Sequence, residues 1–293
     1  MKIQEITADN EFGQEGPGRN KRNKRNKRKK NRLFSLFKFI LVIIFVMVTL
    51  VCLALSPLFY INRIEVSGNK HYNSSEVISV TNLVPGNNWF KMNKVNIKGI
   101  LSFRSLEAEA SILKKCPYIK SAAVRLSSPG VVKIILTERN PVGVVPYLGT
   151  NLIIDNEGYI LDAGNKPAKD NLPVIKGLVF EHYSLGQMLK PSDPEGIRAF
   201  NKVMEVIESS DSNADGKYND YKVKSHVKHM DVSDPDNIHI YLDSRITVNL
   251  GNYEDIDYYR IDFLKEIFFF KLKKADRGYL DFTTGDNPNF IPE

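Results

Sequence analysis

An uninterrupted apolar segment constrains the fold of this chain more than any other feature of its sequence. Residues 39–56 contain no charged side chain. As an α-helix they would extend about 27 Å, close to the hydrocarbon thickness of a bilayer. A helix in the core of a soluble protein keeps one polar face, whereas this segment is apolar on all sides. The sequence therefore predicts a transmembrane helix, which we place at residues 38–58.

A cleaved signal peptide is the competing interpretation of the same segment. The preceding basic region is much longer than an ordinary n-region, and the apolar segment is longer than a typical h-region. Pro57 follows the small-residue sequence that resembles a cleavage site, residues 54–56, and would disfavour cleavage there. We therefore expect the helix to stay attached as a membrane anchor.

Basic residues are concentrated immediately before this helix. Residues 1–38 hold 12 Lys and Arg against 4 Asp and Glu, whereas the rest of the chain holds 29 against 30. The block 20–30 has no apolar side chain, so we expect residues 1–37 to form a disordered tail. By the positive-inside rule this tail is cytoplasmic and residues from about 60 onward lie outside the cell membrane.

The tail has two interpretations, attraction to anionic lipids and binding of nucleic acid. No aromatic residue alternates with the basic residues between 19 and 32, and no folded nucleic-acid reader accompanies them. The sequence therefore favours the plasma membrane as the partner of the tail, and no nucleic acid.

Beyond the membrane helix, strand and helix patterns follow one another. Alternating apolar and polar residues predict a strand at 61–66. An N-cap signal at 73–76 predicts the start of a short helix, and a second helix is predicted at about 105–115. Residues 119–126 and 131–137 predict a hairpin. A small sheet covered by two helices satisfies this β-α-α-β-β order.

Two groups of residues here resemble the opening and the close of a POTRA domain. The opening is Ile-Glu-Val-Ser-Gly-Asn at 64–69; the close is Cys-Pro-Tyr-Ile-Lys-Ser-Ala-Ala-Val at 116–124 and Thr-Glu-Arg-Asn-Pro at 137–141. A basic tail, one membrane helix and one POTRA domain directly outside is similar to the bacterial cell-division proteins of the FtsQ/DivIB family. The resemblance implies a POTRA domain at 59–139, a β domain at 140–284 and a C-terminal tail at 285–293.

The pattern of the second domain agrees with a β-rich mixed fold. It predicts strands at 142–148, 151–154, 159–161, 238–242, 246–250 and 279–284, and helices at 195–207 and about 253–274. The predicted fold class is thus α+β: one transmembrane helix, a POTRA domain, and a β-rich mixed domain with a long C-terminal helix and a last strand.

The motifs of catalytic and cofactor sites are missing from this sequence. Two cysteines exclude a disulfide scaffold and a four-cysteine zinc site. Nucleophile-elbow, Walker and dinucleotide-binding glycine patterns do not occur. On a strand, His226 and His229 would point to opposite faces, so they form a poor metal pair. We therefore predict no catalytic residue, no metal and no cofactor.

One segment matches the first half of a calcium-binding loop. Residues 211–216 read Asp-Ser-Asn-Ala-Asp-Gly, but the twelfth position, which needs a bidentate carboxylate, is Lys222. Asp, Asn and Gly are also ordinary turn residues. We favour a plain loop after the helix.

The family resemblance implies a non-enzymatic division protein of the plasma membrane and septum, which links early and late division proteins. Its implied partners are the small bitopic coiled-coil proteins FtsL and FtsB (DivIC in Gram-positive organisms), with other division proteins at the POTRA domain. In the family the contact uses the last strand and the preceding helix end. Here these positions are Tyr279, Leu280, Asp281, Phe282, Thr283, Thr284, Phe268, Phe269 and Phe270.

Three consecutive phenylalanines on a helix cannot all face one side, so at least one is predicted to be exposed or covered by a partner. Two alternatives to the division role stay open at this stage. One is a POTRA-type polypeptide-binding or transport factor, although the 152 residues after Pro141 are too few for a large barrel. The other is a membrane-anchored cell-wall enzyme.

Overall fold

A computed structural model describes residues 18–93, 99, 102–165, 172–213, 218, 220–285 and 287–293, with the backbone alone for 18–33. The chain divides into two compact units, Met1–Tyr60 and Ile61–Glu293.

The first unit contains one long helix, α1 (Gly18–Ala54). Its segment Phe34–Ala54 has a mean hydropathy of 3.0 and is long and apolar enough to cross a membrane. The helix ends before the predicted residue 58, because Pro57 opens a short 3₁₀ turn, Pro57–Phe59.

The structure corrects the prediction of a disordered tail for residues 18–37, since α1 already begins at Gly18. Lys and Arg are good helix formers, and extending an existing helix avoids the cost of nucleation. The earlier part of the tail, residues 1–17, lies outside the described residues.

The second unit begins with the POTRA domain, whose predicted β-α-α-β-β order the structure confirms. Its sheet has the order β1-β3-β2, with β1 parallel to β3 and β2 antiparallel to it. A short extra helix, α3, carries the buried Trp89. The elements are β1 (Arg63–Ser67), α2 (Ser74–Val80), α3 (Trp89–Met92), α4 (Leu106–Lys115), β2 (Ile119–Ser128) and β3 (Val131–Glu138).

Local chemistry explains the POTRA motifs. Asn73 and Glu76 form the predicted capping box at the start of α2. Gly68 has a φ of +83°, and a Cβ there would lie 2.0 Å from the carbonyl oxygen of Leu136, so only glycine fits after β1. Glu138, at the end of β3, accepts the backbone N–H of His71 and holds the same loop against the sheet.

The second domain is built on one mixed sheet of nine strands, in the order β12-β11-β10-β9-β8-β7-β4-β5-β6. Helices α5 and α6 pack on one face, and the core lies between them and the sheet. The elements are β4 (Pro141–Tyr147), β5 (Thr150–Asp155), β6 (Ile160–Gly164), β7 (Val174–Lys176), α5 (Glu195–Ser212), β8 (Val227–Asp231), β9 (Ile238–Leu242), β10 (Ile246–Gly251), α6 (Tyr258–Glu266), a π-helix (Ile267–Lys271), β11 (Gly278–Asp281) and β12 (Asn289–Pro292).

The structure corrects three predictions near the C-terminus. The long helix is divided into a 3₁₀ turn at Tyr253–Asp255, α6 and the π-helix, because Asp257 caps a new start by accepting the N–H of Arg260. The last predicted strand is shorter, since β11 ends at Asp281, whose carboxylate closes a turn with Thr283. The predicted tail contains a further strand, β12, which pairs with β11.

Candidate partner-binding site

The predicted partner-binding residues on the last strand occupy very different environments. Leu280 is buried in the core, and Phe282 packs against the core with its ring edge-on to Phe263. Tyr279 is half-buried on the other face of the sheet, where its hydroxyl lies 3.2 Å from His239 Nε2. Asp281, Thr283 and Thr284 lie at and just after the strand end.

Hydrogen bonds determine which side of β11 each main-chain group faces. The N–H of Gly278 donates to the carbonyl of Arg245 over 3.2 Å, on the side of β10. Main-chain groups alternate sides along a strand. Tyr279 and Asp281 therefore direct their N–H and C=O groups away from β10, toward β12.

Aromatic and imidazole side chains line the face of the sheet opposite the helices. The register pairs His229 with Tyr241, Tyr241 with Thr247, and Thr247 with Tyr279. The His229 ring stacks on Tyr241 with 4.4 Å between ring centres. Burial, followed by the nearby charge of Lys176, lowers the pKa of His229, so this imidazole is neutral near pH 7.

The three consecutive phenylalanines lie on the π-helix and differ in exposure as expected. Phe268 is buried, Phe269 is half-buried and Phe270 is 50% exposed. The N–H of Leu272 donates to the carbonyl of Ile267, which gives the wider π turn. The predicted exposure of at least one phenylalanine is confirmed, whereas its binding of a partner stays a prediction.

Side chains from distant parts of the sequence complete an aromatic surface around these rings. Tyr221 contacts both Phe269 and Phe270, with ring centres 5.0 and 4.7 Å apart. His226 lies 5.2 Å from Phe269, and its Nδ1 lies 2.8 Å from a carboxylate oxygen of Asp243. We refer to Tyr221, Phe269 and Phe270 as the aromatic surface. Sequence reasoning missed Tyr221 because its nearness to the phenylalanines depends on the tertiary fold.

The structure brings the two predicted sets of residues together only in part. Phe268 lies under the guanidinium of Arg245, 4.5 Å from its ring centre, and the carbonyl of Arg245 accepts the N–H of Gly278 at the start of β11. The aromatic surface lies beside His226, which precedes β8, and in the sheet order β8 is separated from β11 by β9 and β10, or about 14 Å at three strand spacings. The last strand and the aromatic surface therefore form two separate surfaces of one domain.

A third region joins the POTRA domain to the β domain through Arg139. Its guanidinium lies 2.5 Å from Asp155 and 2.8 Å from Glu157, and it stacks 3.6 Å above the ring of Tyr159. Burial alone would lower the pKa of Arg139, but hydrogen bonds to Glu157 and Asp155 outweigh burial and raise it. A hydrogen bond from Lys120, and a further one from Arg139, lower the pKa of Glu157. Arg139 and Glu157 therefore stay charged across the physiological pH range.

Within the described regions, no group of three or more His, Cys, Asp or Glu side chains is arranged to hold a metal ion. Cys116 is buried, and burial raises the pKa of its thiol, as suits a small core residue. Asp211, the first residue of the calcium-like segment, lies in the last turn of α5 and faces Lys265; residues 214–216 of that segment lie outside the described regions.

These features define a membrane-anchored POTRA-domain protein with a β-rich second domain. Comparison with family models matches residues 59–139 to the POTRA domain, FtsQ-type, and residues 145–269 to the cell division protein FtsQ/DivIB, C-terminal. The chain belongs to the FtsQ/DivIB family of bacterial cell-division proteins. The C-terminal match ends at residue 269, so β11 and β12 lie beyond it.

Curated relatives agree with this assignment over most of the chain. The cell division protein DivIB of Clostridium acetobutylicum is 26% identical over 237 residues, covering 81% of this chain and 84% of that protein. DivIB of Clostridium botulinum (strain Loch Maree / Type A3) is 25% identical over 245 residues, covering 83% and 85%. The cell division protein FtsQ of Syntrophotalea carbinolica is 28% identical over 126 residues, covering 43% and 40%.

Proposed function

We propose that this protein is a non-enzymatic assembly factor of the divisome, which links early and late division proteins and scaffolds septum formation. Its N-terminus is cytoplasmic, where the basic residues 19–38 bind anionic lipids of the plasma membrane, and the protein concentrates at the septum. Its domains after residue 60 are extracytoplasmic and bind the bitopic coiled-coil proteins FtsL and FtsB/DivIC. Other division proteins bind the POTRA domain.

The edge of β11 is the observation that carries this proposal. The main-chain groups of Tyr279 and Asp281 point away from β10, toward a neighbour of only four residues, β12. In the structure these groups pair with Ile291 and Asn289 of β12. N–H and C=O groups at the side of a sheet are a template for an added strand, which here would take the position of β12. An extended segment of a partner can bind there by main-chain hydrogen bonds, with Tyr279 contributing a side-chain contact.

The aromatic surface supports a second contact with the same partners. Phe270 and Tyr221 are exposed, and the half-buried ring of Phe269 contacts Tyr221. Aromatic side chains that keep little conformational freedom are frequent energetic centres of protein interfaces. We assign this surface to an apolar stripe on the helical part of FtsL or FtsB/DivIC, and the edge of β11 to the extended part.

Replacing Tyr279 by proline tests strand addition, with Tyr279→Ala as its matched control. Both changes remove the ring, but only proline removes the N–H that faces β12 in the structure and would face the added strand, and the pairing of β11 with β10 stays intact. In dividing cells carrying the full chain, we expect cross-linking of FtsL and FtsB/DivIC homologues to fall at least tenfold with Tyr279→Pro. Tyr279→Ala should retain most of it.

Equal capture by the proline and alanine variants would show that the edge of β11 donates no hydrogen bond to the partner. Thermal unfolding followed by circular dichroism shows whether both variants keep the fold. If the unaltered chain captures no division protein, the proposed role is wrong.

Replacing Phe270 by serine tests the aromatic surface. Phe270 is 50% exposed, so its loss should cost little stability, while a partner that buries the ring should lose part of its affinity. We expect cross-linking of the same partners to fall about three- to tenfold. Tyr259→Ser is the control, because Tyr259 is an exposed aromatic residue on α6 outside this surface. A similar fall with both variants would remove the aromatic surface from the proposal.

A further inference from the structure

The strand β12 is an unusual neighbour for β11. Its four residues are Asn-Phe-Ile-Pro, and only Phe290 is partly buried, against the core of the β domain. It pairs antiparallel with β11, so that Phe290 lies opposite Leu280 and Ile291 opposite Tyr279. A short edge strand with polar and proline ends gains little from burial or from β propensity.

The outer edge of β12 is poorly suited to accept a further strand. The N–H of Glu293 donates to the carbonyl of Arg277, and this bond makes the adjacent pair, Pro292 and Gly278, the non-hydrogen-bonded one. The main-chain groups of Pro292 therefore face outward, and proline has no N–H to donate. Among residues 289–292, Phe290 alone can offer a donor to a strand outside β12. Proline on an outward-facing edge is a common device against strand addition.

The inner edge, on β11, has the opposite character. Its outward-facing residues, Tyr279 and Asp281, both carry an N–H and a C=O, and they already pair with Ile291 and Asn289. A partner strand that replaced β12 would satisfy all of these groups. A strand added outside β12 would find fewer main-chain donors, because Phe290 alone offers an N–H on that side. Of the two edges, β11 is therefore the one on which an added strand is favoured.

We infer that β12 holds the place of the partner strand on β11 and is displaced when the partner binds. This inference rests on the proposed strand addition and states how that site is regulated. The sequence of β12 then indicates what the site selects: an extended segment with an aromatic residue opposite Leu280, on the core side, and an aliphatic residue opposite Tyr279. Two residues of unlike character, one for each face of the sheet, give this site its specificity.

Because β12 must leave β11 before a partner strand can bind, the affinity of the protein for its partner is lower than it would be without β12. A partner binds only the fraction of molecules in which β12 has left β11, so its apparent dissociation constant rises by the inverse of that fraction. The connection between the two strands, residues 282–288, includes Gly285 with a φ of +75°, a backbone state that suits a turn. In the sheet order β12 pairs with β11 and not with β10, so β12 can leave without disturbing β10. Residues that weaken β12 should therefore strengthen partner binding.

A photoreactive peptide tests this inference without the natural partner. The probe is a synthetic peptide of residues 287–293 with benzoylphenylalanine in place of Phe290, and its control is the same peptide in scrambled order. Both are irradiated with the full chain in lipid nanodiscs and with a chain that ends at Gly285. We expect at least tenfold more covalent adduct on the shortened chain, with the ordered peptide only.

A full-length Phe290→Ala variant provides a second measurement, because it weakens β12 without removing residues. It should give an adduct yield between those of the full and shortened chains. Equal yields on all three proteins, or no preference for the ordered peptide, would overturn the inference. If that happens while Tyr279→Pro still abolishes capture of FtsL and FtsB/DivIC, strand addition stands and only displacement fails. If the peptide behaves as expected but Tyr279→Pro captures normally, the division partners bind elsewhere.

Discussion

Replacing Lys265 by alanine should lower the free energy of unfolding of the β domain by about 3–5 kcal/mol, the usual cost of breaking a buried ion pair. The Lys265 side chain is fully buried, and its Nζ lies 3.0 Å from an oxygen of Asp211. The carboxylate also accepts the N–H groups of Val223 and Lys224. Alanine would leave this buried carboxylate without its cation and would open a cavity beside α6.

The position of this pair connects stability with binding. Lys265 precedes the π-helix by two residues, and Asp211 lies in the last turn of α5, so the pair connects α5 with α6 just before the π-helix that carries Phe269 and Phe270. Loosening it should disorder Phe269 and Phe270 and reduce capture of a partner more than Phe270→Ser does. We expect the two effects together, because the same side chain supports both.

Urea unfolding of the full chain in detergent micelles measures this effect in both domains at once. Trp89 is the single tryptophan and is buried in the POTRA core, so its fluorescence follows the POTRA domain. Far-ultraviolet circular dichroism follows both domains. Lys265→Ala should shift the circular dichroism transition strongly and the Trp89 transition much less.

Lys271→Ala is the matched control for Lys265→Ala. Lys271 lies 3.5 Å from Glu266, but its side chain is 64% exposed, so its loss should cost less than about 1 kcal/mol. The double variant Lys265→Met, Asp211→Asn should recover much of the lost stability, since it removes both charges and fills the space. Equal destabilisation by Lys265→Ala and Lys271→Ala would contradict the role given to the buried pair.

Local patterns in the sequence were sufficient where the structure depends on neighbouring residues. The capping box of Asn73 and Glu76, the POTRA hairpin, and strands β9 and β10 follow from short-range chemistry, and the structure confirms them. The membrane helix was predictable for the same reason, because an uncharged apolar segment of that length has few structures open to it other than a membrane-spanning helix.

Features that depend on distant residues were missed. β12 is too short, and too rich in Asn and Pro, to be identified as a strand, and it forms only because β11 offers an edge to pair with. Lys265 was assigned no role, although Ile261, Leu264 and Phe268 place it on the buried face of the helix at helical spacing. A charged residue on an apolar helical face could have indicated a buried ion pair. Its partner Asp211 was considered only as part of the calcium-like segment.

Replacing Arg139 by alanine should lower the free energy of unfolding by about 3 kcal/mol and weaken the connection between the POTRA domain and the β domain. Arg139 follows β3, is 8% exposed at its side chain, and bonds to Asp155 and Glu157 of the β domain. Asp155 is 2% exposed and would keep only its hydrogen bonds from the N–H groups of Glu157 and Tyr159. The contact of the guanidinium with Tyr159 would be lost as well.

We expect the POTRA domain and the β domain of the Arg139→Ala variant to unfold at different urea concentrations. With Arg139→Ala, the Trp89 fluorescence and circular dichroism transitions in urea should move apart, whereas in the unaltered chain they should lie closer together. Lys120→Ala is the control, because Lys120 bonds to the same Glu157 from a half-exposed position and should cost less than about 1 kcal/mol. Arg139→Lys keeps the charge but not the planar stacking on Tyr159, so it should fall between the two. If Arg139→Ala and Lys120→Ala shift both transitions equally, the buried guanidinium does not couple the POTRA and β domains.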